Sequence, residues 1–325
     1  MIIRNLLSTT AIIAITASPA VAQVYTPNNT NSQSGIGNSI SIDQVSPVPS
    51  IPNQEAIVQV GTNNSTTVSQ NGSSNFAEVD ANLQGVPLNF ITVPTNTVEN
   101  GDNSSITQSG QYNTAEIFSV NIGQVLIPSN TGINNNTASI TEAGNENWAR
   151  ISFFGTSNKL NLSLSGTNNY GFINMYGNNN TSNMSLTGNS NWADIGTTID
   201  AGSNSTGTVQ MNGTGNFAIV TQDQSSNTAM ISVNGQNNQE YISQNGQSNA
   251  NISQTGNNNY ASIIQATSDT ANITQNGSPT AGIINSNNPS SYSYYNYATI
   301  TQSTPGVTMS IAQNGSANFF KSTQH

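Results

Sequence analysis

Cysteine is absent from the 325 residues, so no disulfide holds this chain. Positive charge is nearly absent as well. Arg4, Arg150, Lys159 and Lys321 are its four cationic side chains against fourteen Asp and Glu, a formal net charge of −10. A DNA or RNA partner needs clustered Lys and Arg, so no nucleic acid is expected as a partner. Histidine occurs once, at His325. With no thiol, no metal-ligand cluster, no supported carboxylate pair and no activated serine, the sequence offers no catalytic, metal-binding or cofactor-binding residues. No cofactor and no enzyme activity are expected.

Charge of either sign is scarce, at 6% of residues, and hydrophobic residues make up 34%. Disordered chains of low hydrophobicity usually carry high net charge or much Pro and Lys. This chain is rich instead in Asn, Gln, Ser and Thr, which can stack in amide ladders along a cross-β axis. Its one leader-like apolar run is at the start, MIIRNLLSTTAIIAITASPAVAQ. Arg4 gives a basic region, Leu6 to Ile15 an apolar core, and Ala20-Val21-Ala22 a small-residue cleavage site before Gln23. Residues 1–22 therefore read as a secretory signal peptide, and the apolar run is too short for a membrane span. A polar segment follows over 23–38, and a single repeat domain over 39–325.

What the chain has is a clock. Gly144, Gly155, Gly166, Gly177 and Gly188 are eleven residues apart, and so are Asn147, Asn158, Asn169, Asn180 and Asn191. The same unit recurs in Gln59, Gly61, Asn64, Gln70, Gly72 and Asn75, and in Gln108, Gly110 and Asn113. It returns in Gln222 and Gln244, then in Gln254, Gly256, Asn259 and Gln265, and last in Gln313, Gly315 and Asn318. A short insertion near Gly196 to Ala201 resets it. Longer insertions near 45–52, 82–98, 120–133 and 285–296, several carrying proline, read as loops at the corners.

Within a unit the kept positions alternate as Asn, small or Ala, aliphatic, Gln. A period of two is a strand with one buried face. Gly supplies positive φ between strands, and Asn is expected to share that turn role. Two strands and two turns make one coil of about twenty-two residues, with the next coil in register about 4.8 Å away. The expected fold is all-β, an amyloid-like β-solenoid of stacked strand-turn-strand coils in two parallel sheets. Roughly a dozen coils fit the chain. In-register stacking also accounts for the missing charges, because like charges would sit near 5 Å apart. Glu78, Glu116, Arg150, Lys159, Asp194 and Lys321 fall outward by register, whereas Glu55 and Glu240 fall inward, as if from a bulge or shifted unit.

The unit Gln-x-Gly-x-x-Asn-x-Ala-x-aliphatic-x-Gln resembles the curlin repeat of curli, the bacterial extracellular amyloid fibre. Gln59 to Gln70, Gln70 to Val79, Gln108 to Ile117 and Gln254 to Gln265 carry it best. The resemblance implies a secreted structural protein of a Gram-negative-type bacterium that assembles by templated strand stacking into biofilm fibres with an adhesive role. Its implied partners are other copies of itself, head to tail, a nucleator and an outer-membrane secretion pore. The chain departs from the pattern in having many more units. It also has Phe153, Leu164, Met175 and Leu186 where Gln is expected, with Met211 and Val233 beyond. Each such side chain stabilises by about 1.5–3 kcal/mol if fully buried, so the middle is expected to fold more readily alone.

The position after the repeat Asn holds Trp148, Tyr170, Trp192, Phe217 and Tyr260 in alternate units, with Lys159, Thr181, Thr206, Thr228 and Ala250 in the units between. This stripe reads either as a stacked ladder that stabilises one sheet or as an exposed surface for lateral packing or glycan binding. The second use gives an alternative function, a monomeric secreted β-solenoid adhesin. An ice-binding solenoid ranks below both, because regular Thr-x-Thr arrays are lacking.

Overall fold

The computed structural model describes residues 30–47, 52–80, 99–118, 133–197, 203–266, 268–277, 296–302, 308–315 and 318–324. The leader over 1–22, the start of the polar segment and the four longer insertions lie wholly or largely outside the described residues.

Every described element is a β-strand, in two sheets of 11 and 14 strands. The chain crosses from one sheet to the other at each turn, so sequence neighbours do not pair. Thr137–Asn145 pairs in parallel with Lys159–Thr167, and that strand with Thr181–Asn189, while Trp148–Phe154 pairs with Tyr170–Tyr176 in the opposite sheet. This is the expected β-solenoid, and residue i stacks on i+22 through its middle.

The register of the described strands is kept across the insertions. Gly72, Gly110, Gly144, Gly166 and Gly188 stack in one column although the first two steps are 38 and 34 residues. Some coils are one residue short instead. Thr228 pairs with Asn249, so Asn249 faces outward and Ala250, which an eleven-residue count puts on the outer edge, is buried at 4% exposure.

The core is thin and continuous. In Lys159–Thr167 the alternate residues Leu160, Leu162 and Leu164 are buried while Lys159 and Asn161 are exposed. The two sheets trade volume across this core. Where Leu162, Leu164 and Met184 fill one side, the Ala column of the facing sheet holds Gly171. A Cβ there would stand 2.7 Å from Leu162 Cδ1 and 3.0 Å from Met184 Sδ.

The turns differ from expectation in one respect. Positive φ falls on the column glycine and on the residue before the repeat Asn, as at Ser157 (φ 60°) and Asn168 (φ 56°). The repeat Asn itself is left free to point inward.

Candidate functional site

The repeat Asn side chains form two buried amide ladders, one at each edge of the core. Asn75, Asn113, Asn147, Asn169, Asn191, Asn216, Asn238 and Asn259 make one of them. Asn169 shows the pattern. The backbone N–H and Nδ2 of Asn169 both donate to Asn147 Oδ1, at 3.1 and 3.2 Å. Asn169 Nδ2 also donates to Gly188 O at 2.7 Å, in the following coil, and to Ser165 O at 3.1 Å. One side chain thus ties three coils together. The second ladder runs through Asn38, Asn64, Asp102, Asn136, Asn158 and Asn180. Ser205, Asn227, Ser248 and Asp269 continue it.

The column glycines fit against one another. A Cβ on Gly144 would lie 2.0 Å from Gly166 O, and one on Gly166 would lie 2.0 Å from Gly188 O. Gly155 meets Gly177 in the same way on the other turn, at 2.0 Å. Gly256 keeps the positive φ of this column, and Gly315 has it at the end of the rod with nothing within 4 Å of its missing Cβ. Gly61 belongs to a different contact: its backbone pairs with Gly35 and Glu99.

The Gln side chains form further ladders, and these have one direction. Gln70 Nε2 donates to Gln108 Oε1 at 2.7 Å, and Gln275 Nε2 to Gln313 Oε1 at 2.6 Å. Gln222, Gln244, Gln265 and Gln302 run the same way in the opposite sheet, and Gln33 donates to Gln59 at 3.0 Å. Between the amide blocks, Phe153, Leu164, Met175, Leu186, Met211 and Val233 are buried in the Gln columns, as their register implies.

More carboxylates lie inside than the register count anticipates. Glu55 and Glu240 do face inward, and no bulge puts them there: Glu55 pairs with Ala77, and Glu240 lies between Ala218 and Ala261. Gln44 reaches across the core to donate to Glu55 Oε2. Glu240 is fully buried with Oε2 unpartnered, and burial pushes its carboxyl well above the usual range. Three further acids lie inside because they occupy amide slots. Glu142 ends a Gln ladder, accepting from Gln108 Nε2 at 2.7 Å, and burial raises its pKa well above normal. Asp102 and Asp269 stand in the second Asn ladder. Asp194 does sit on the outer face, but between Phe172 and Ile219, and the resulting desolvation pushes it up to about 6.

The aromatic residues stack on each other. Trp148 and Tyr170 have ring centroids 4.3 Å apart at 12°, Tyr170 and Trp192 6.3 Å at 10°, and Trp192 and Phe217 4.6 Å at 7°. Gln239 breaks the column, and Tyr241, two residues along, fills in between Phe217 and Tyr260. Tyr260, Tyr297 and Phe319 complete the row to the end of the rod. Ring faces that cover one another are closed to a flat ligand, so the geometry matches the stabilising ladder better than a binding stripe. Beside it, Arg150 lies 3.9 Å from Glu116 and 4.9 Å from the centre of the Phe118 ring.

Among the described residues the rod ends in open edges. The first described strand is Thr30–Ile36 and the last is Phe319–Gln324, and both belong to the 14-stranded sheet. Ile36 is 73% exposed at one end, and Phe319 and Phe320 are 53% and 38% exposed at the other. There, a cleft of about 510 Å³ runs between the strand Thr308–Asn314 and the two phenylalanines. Among the described residues, no group of three His, Cys, Asp or Glu side chains could hold a metal ion. Compared with known proteins, the chain matches no family model and no curated protein.

Proposed function

We propose that this chain is a secreted structural protein whose copies add end to end into extracellular fibres of a biofilm matrix, as its likeness to the curlin repeat implies. The observation that carries this reading is the pair of open-ended, unidirectional amide ladders inside two parallel sheets. Although Glu142 and the oily residues of the middle interrupt the Gln columns, the last described rung, Gln313, carries the same amide that the inner rung Gln275 gives its neighbour. Export by way of an outer-membrane pore, a nucleator that starts the fibre and an adhesive role belong to the same reading. So does a structural rather than catalytic role.

The alternative, a monomeric adhesin using the aromatic stripe, has less support, because the stacked rings offer edges and not faces. Purified chain lacking residues 1–22 should form thioflavin-positive, detergent-resistant fibres, and sonicated fibres should abolish the lag phase of fresh protein. A chain that stays monomeric with seeds present would overturn the proposal and restore the adhesin.

A further inference from the structure

The ends of the rod do not match as they stand. At both ends successive strands alternate between sheets, so that each lies half a rung further along the axis. At one end the order is Thr308–Asn314 in the 11-stranded sheet, then Phe319–Gln324 in the 14-stranded sheet. The next place therefore belongs to the 11-stranded sheet, beside the open edge of Thr308–Asn314, where the end cleft lies. At the other end the order is Thr30–Ile36 in the 14-stranded sheet, then Ser39–Val45 in the 11-stranded sheet, then Gln54–Thr62.

If a second copy set its Thr30–Ile36 directly on Phe319–Gln324, the smaller sheets would be left two rungs apart, a gap of about 9.6 Å with one strand missing. A gapless junction needs Ser39–Val45 on Thr308–Asn314. Then Thr30–Ile36 of the arriving copy and Phe319–Gln324 of the first claim the same place beside Gln54–Thr62.

The gapless junction keeps every column. Gln44 follows Gln313 and Ile42 follows Ile311, because each pair occupies one column of the 11-stranded sheet. Gln59 likewise follows Gln324 in the other sheet. The polarity also fits. Gln275 Nε2 donates both to Tyr260 O and to the next Gln, whereas Gln313 Nε2, on the last rung, donates to Tyr297 O. By the pattern of Gln275, the second N–H of Gln313 would go to the next rung, and in the gapless junction its acceptor would be Gln44 Oε1.

We infer that the docking surface for a second copy is the pair Ser39–Val45 and Gln54–Gln59, and that Thr30–Ile36 is a displaceable cap over half of it. This inference rests on the fibre reading above and adds its register and its control. Among the described strands the cap pairs with one neighbour only, through the register Thr30↔Ala56 to Ile36↔Thr62. An incoming Phe319–Gln324 would exchange with it strand for strand.

The test locks or loosens the cap in the full chain. Ser32 and Val58 are paired, so Ser32→Cys with Val58→Cys gives a disulfide that pins the cap in a protein with no other cysteine. Oxidised, this variant should elongate seeds at least about tenfold more slowly than when reduced, since the competent state is withheld. Gln33→Pro with Ser34→Pro, adjacent so that one of them removes a ladder donor, should shorten the lag instead. In that proline background, mixing a Ser41→Cys copy with a Ser310→Cys copy should give disulfide-linked dimers, because these two positions share a column.

Equal elongation by oxidised and reduced forms would overturn the cap while leaving the fibre reading intact. Fibres whose Ser41→Cys and Ser310→Cys copies do not cross-link would overturn the register. A proline variant that neither forms fibres nor dimerises would overturn both the surface and the fibre reading.

Discussion

Asp102 stands in a column where Asn64 precedes it and Asn136 follows. It does half of an asparagine's work. Its Oδ1 accepts from Asn136 N at 2.7 Å and Nδ2 at 3.2 Å, and its backbone N–H donates to Asn64 Oδ1, but Oδ2 is buried without a partner. Burial pushes the carboxyl from 3.8 up to about 6, against the lowering effect of the Asn136 hydrogen bonds. A carboxyl whose pKa is raised by folding stabilises the fold in its protonated form. That contribution is complete below about 3.8 and is lost as pH rises through about 6. Glu142 and Glu240 are raised for the same reason and act in the same direction. The rod should therefore be most stable in mild acid and weaken towards neutral pH. Asp102→Asn restores the missing donor and removes one titration. Denaturant unfolding should find that variant more stable than wild type by on the order of 1–3 kcal/mol at pH 7, and the gain should shrink at pH 4. A larger gain at pH 4 than at pH 7 would show that the acid is not charged in the folded state.

The strand-turn unit is held at its corners by glycine and asparagine together. Gly166 has φ of 116°, and a Cβ on it would sit 2.0 Å from Gly188 O, a backbone atom that cannot move without opening the ladder. Gly196 has open space where its Cβ would be and no positive φ. Gly166→Ala should cost more than about 2 kcal/mol, while Gly196→Ala should lie within about 0.5 kcal/mol of wild type, measured by chemical unfolding. Equal costs would mean that the glycine column is not a close-packed contact. Much of this unit could be read from the chain. The two-residue alternation of Leu160, Leu162 and Leu164 marks a buried face, and the spacing of Gly144 and Gly166 gives the stacking step. The role of Asn could not be read so directly, because residue type alone allows it either to adopt positive φ or to bridge coils. Only the backbone shows that Asn168 takes the first role and Asn169 the second. Glu142, Asp102 and Asp269 were within reach, since each occupies a column position of known register. The rule that stacked ladders exclude charge hides them, although burial raises the Glu142 and Asp102 carboxyls and so favours their uncharged form. Gly171 lay beyond reach: its reason is Leu162 and Met184 in the facing sheet, and periodicity along one strand does not reveal what lies across a core.

Along the whole rod the coils are alike in backbone but not in what they bury. From Thr137 to Gln236 the described strands follow one another with steps of 22 or 25 residues. This stretch carries Phe153, Leu164, Met175, Leu186, Met211 and Val233 in the Gln columns, together with the stacked run from Trp148 to Phe217. Each oily side chain replaces a buried amide that would have had to exchange water for a ladder hydrogen bond of modest net value. The flanking blocks are interrupted by insertions and depend on Gln ladders, and among the described strands the outermost have a neighbour on one side only. In a stack where each coil touches only its neighbours, stability is a sum of local terms, so opening should begin at the ends and stop at the middle. Native-state hydrogen exchange should therefore show a gradient. Backbone amides of Leu162, Ile173, Met184 and Ile195 should be the slowest, those of Ile42 and Ile311 faster, and those of Thr30–Ile36 and Phe319–Gln324 fastest. Leu186→Gln should flatten the gradient by lowering protection in the middle, because its new amide faces Leu164 and Met211 and finds no ladder to join. Uniform protection from end to end would instead mean that the rod opens as a single cooperative unit. Its terminal strands would then be as costly to displace as its core, and end-on addition would have to proceed without any exchange of strands.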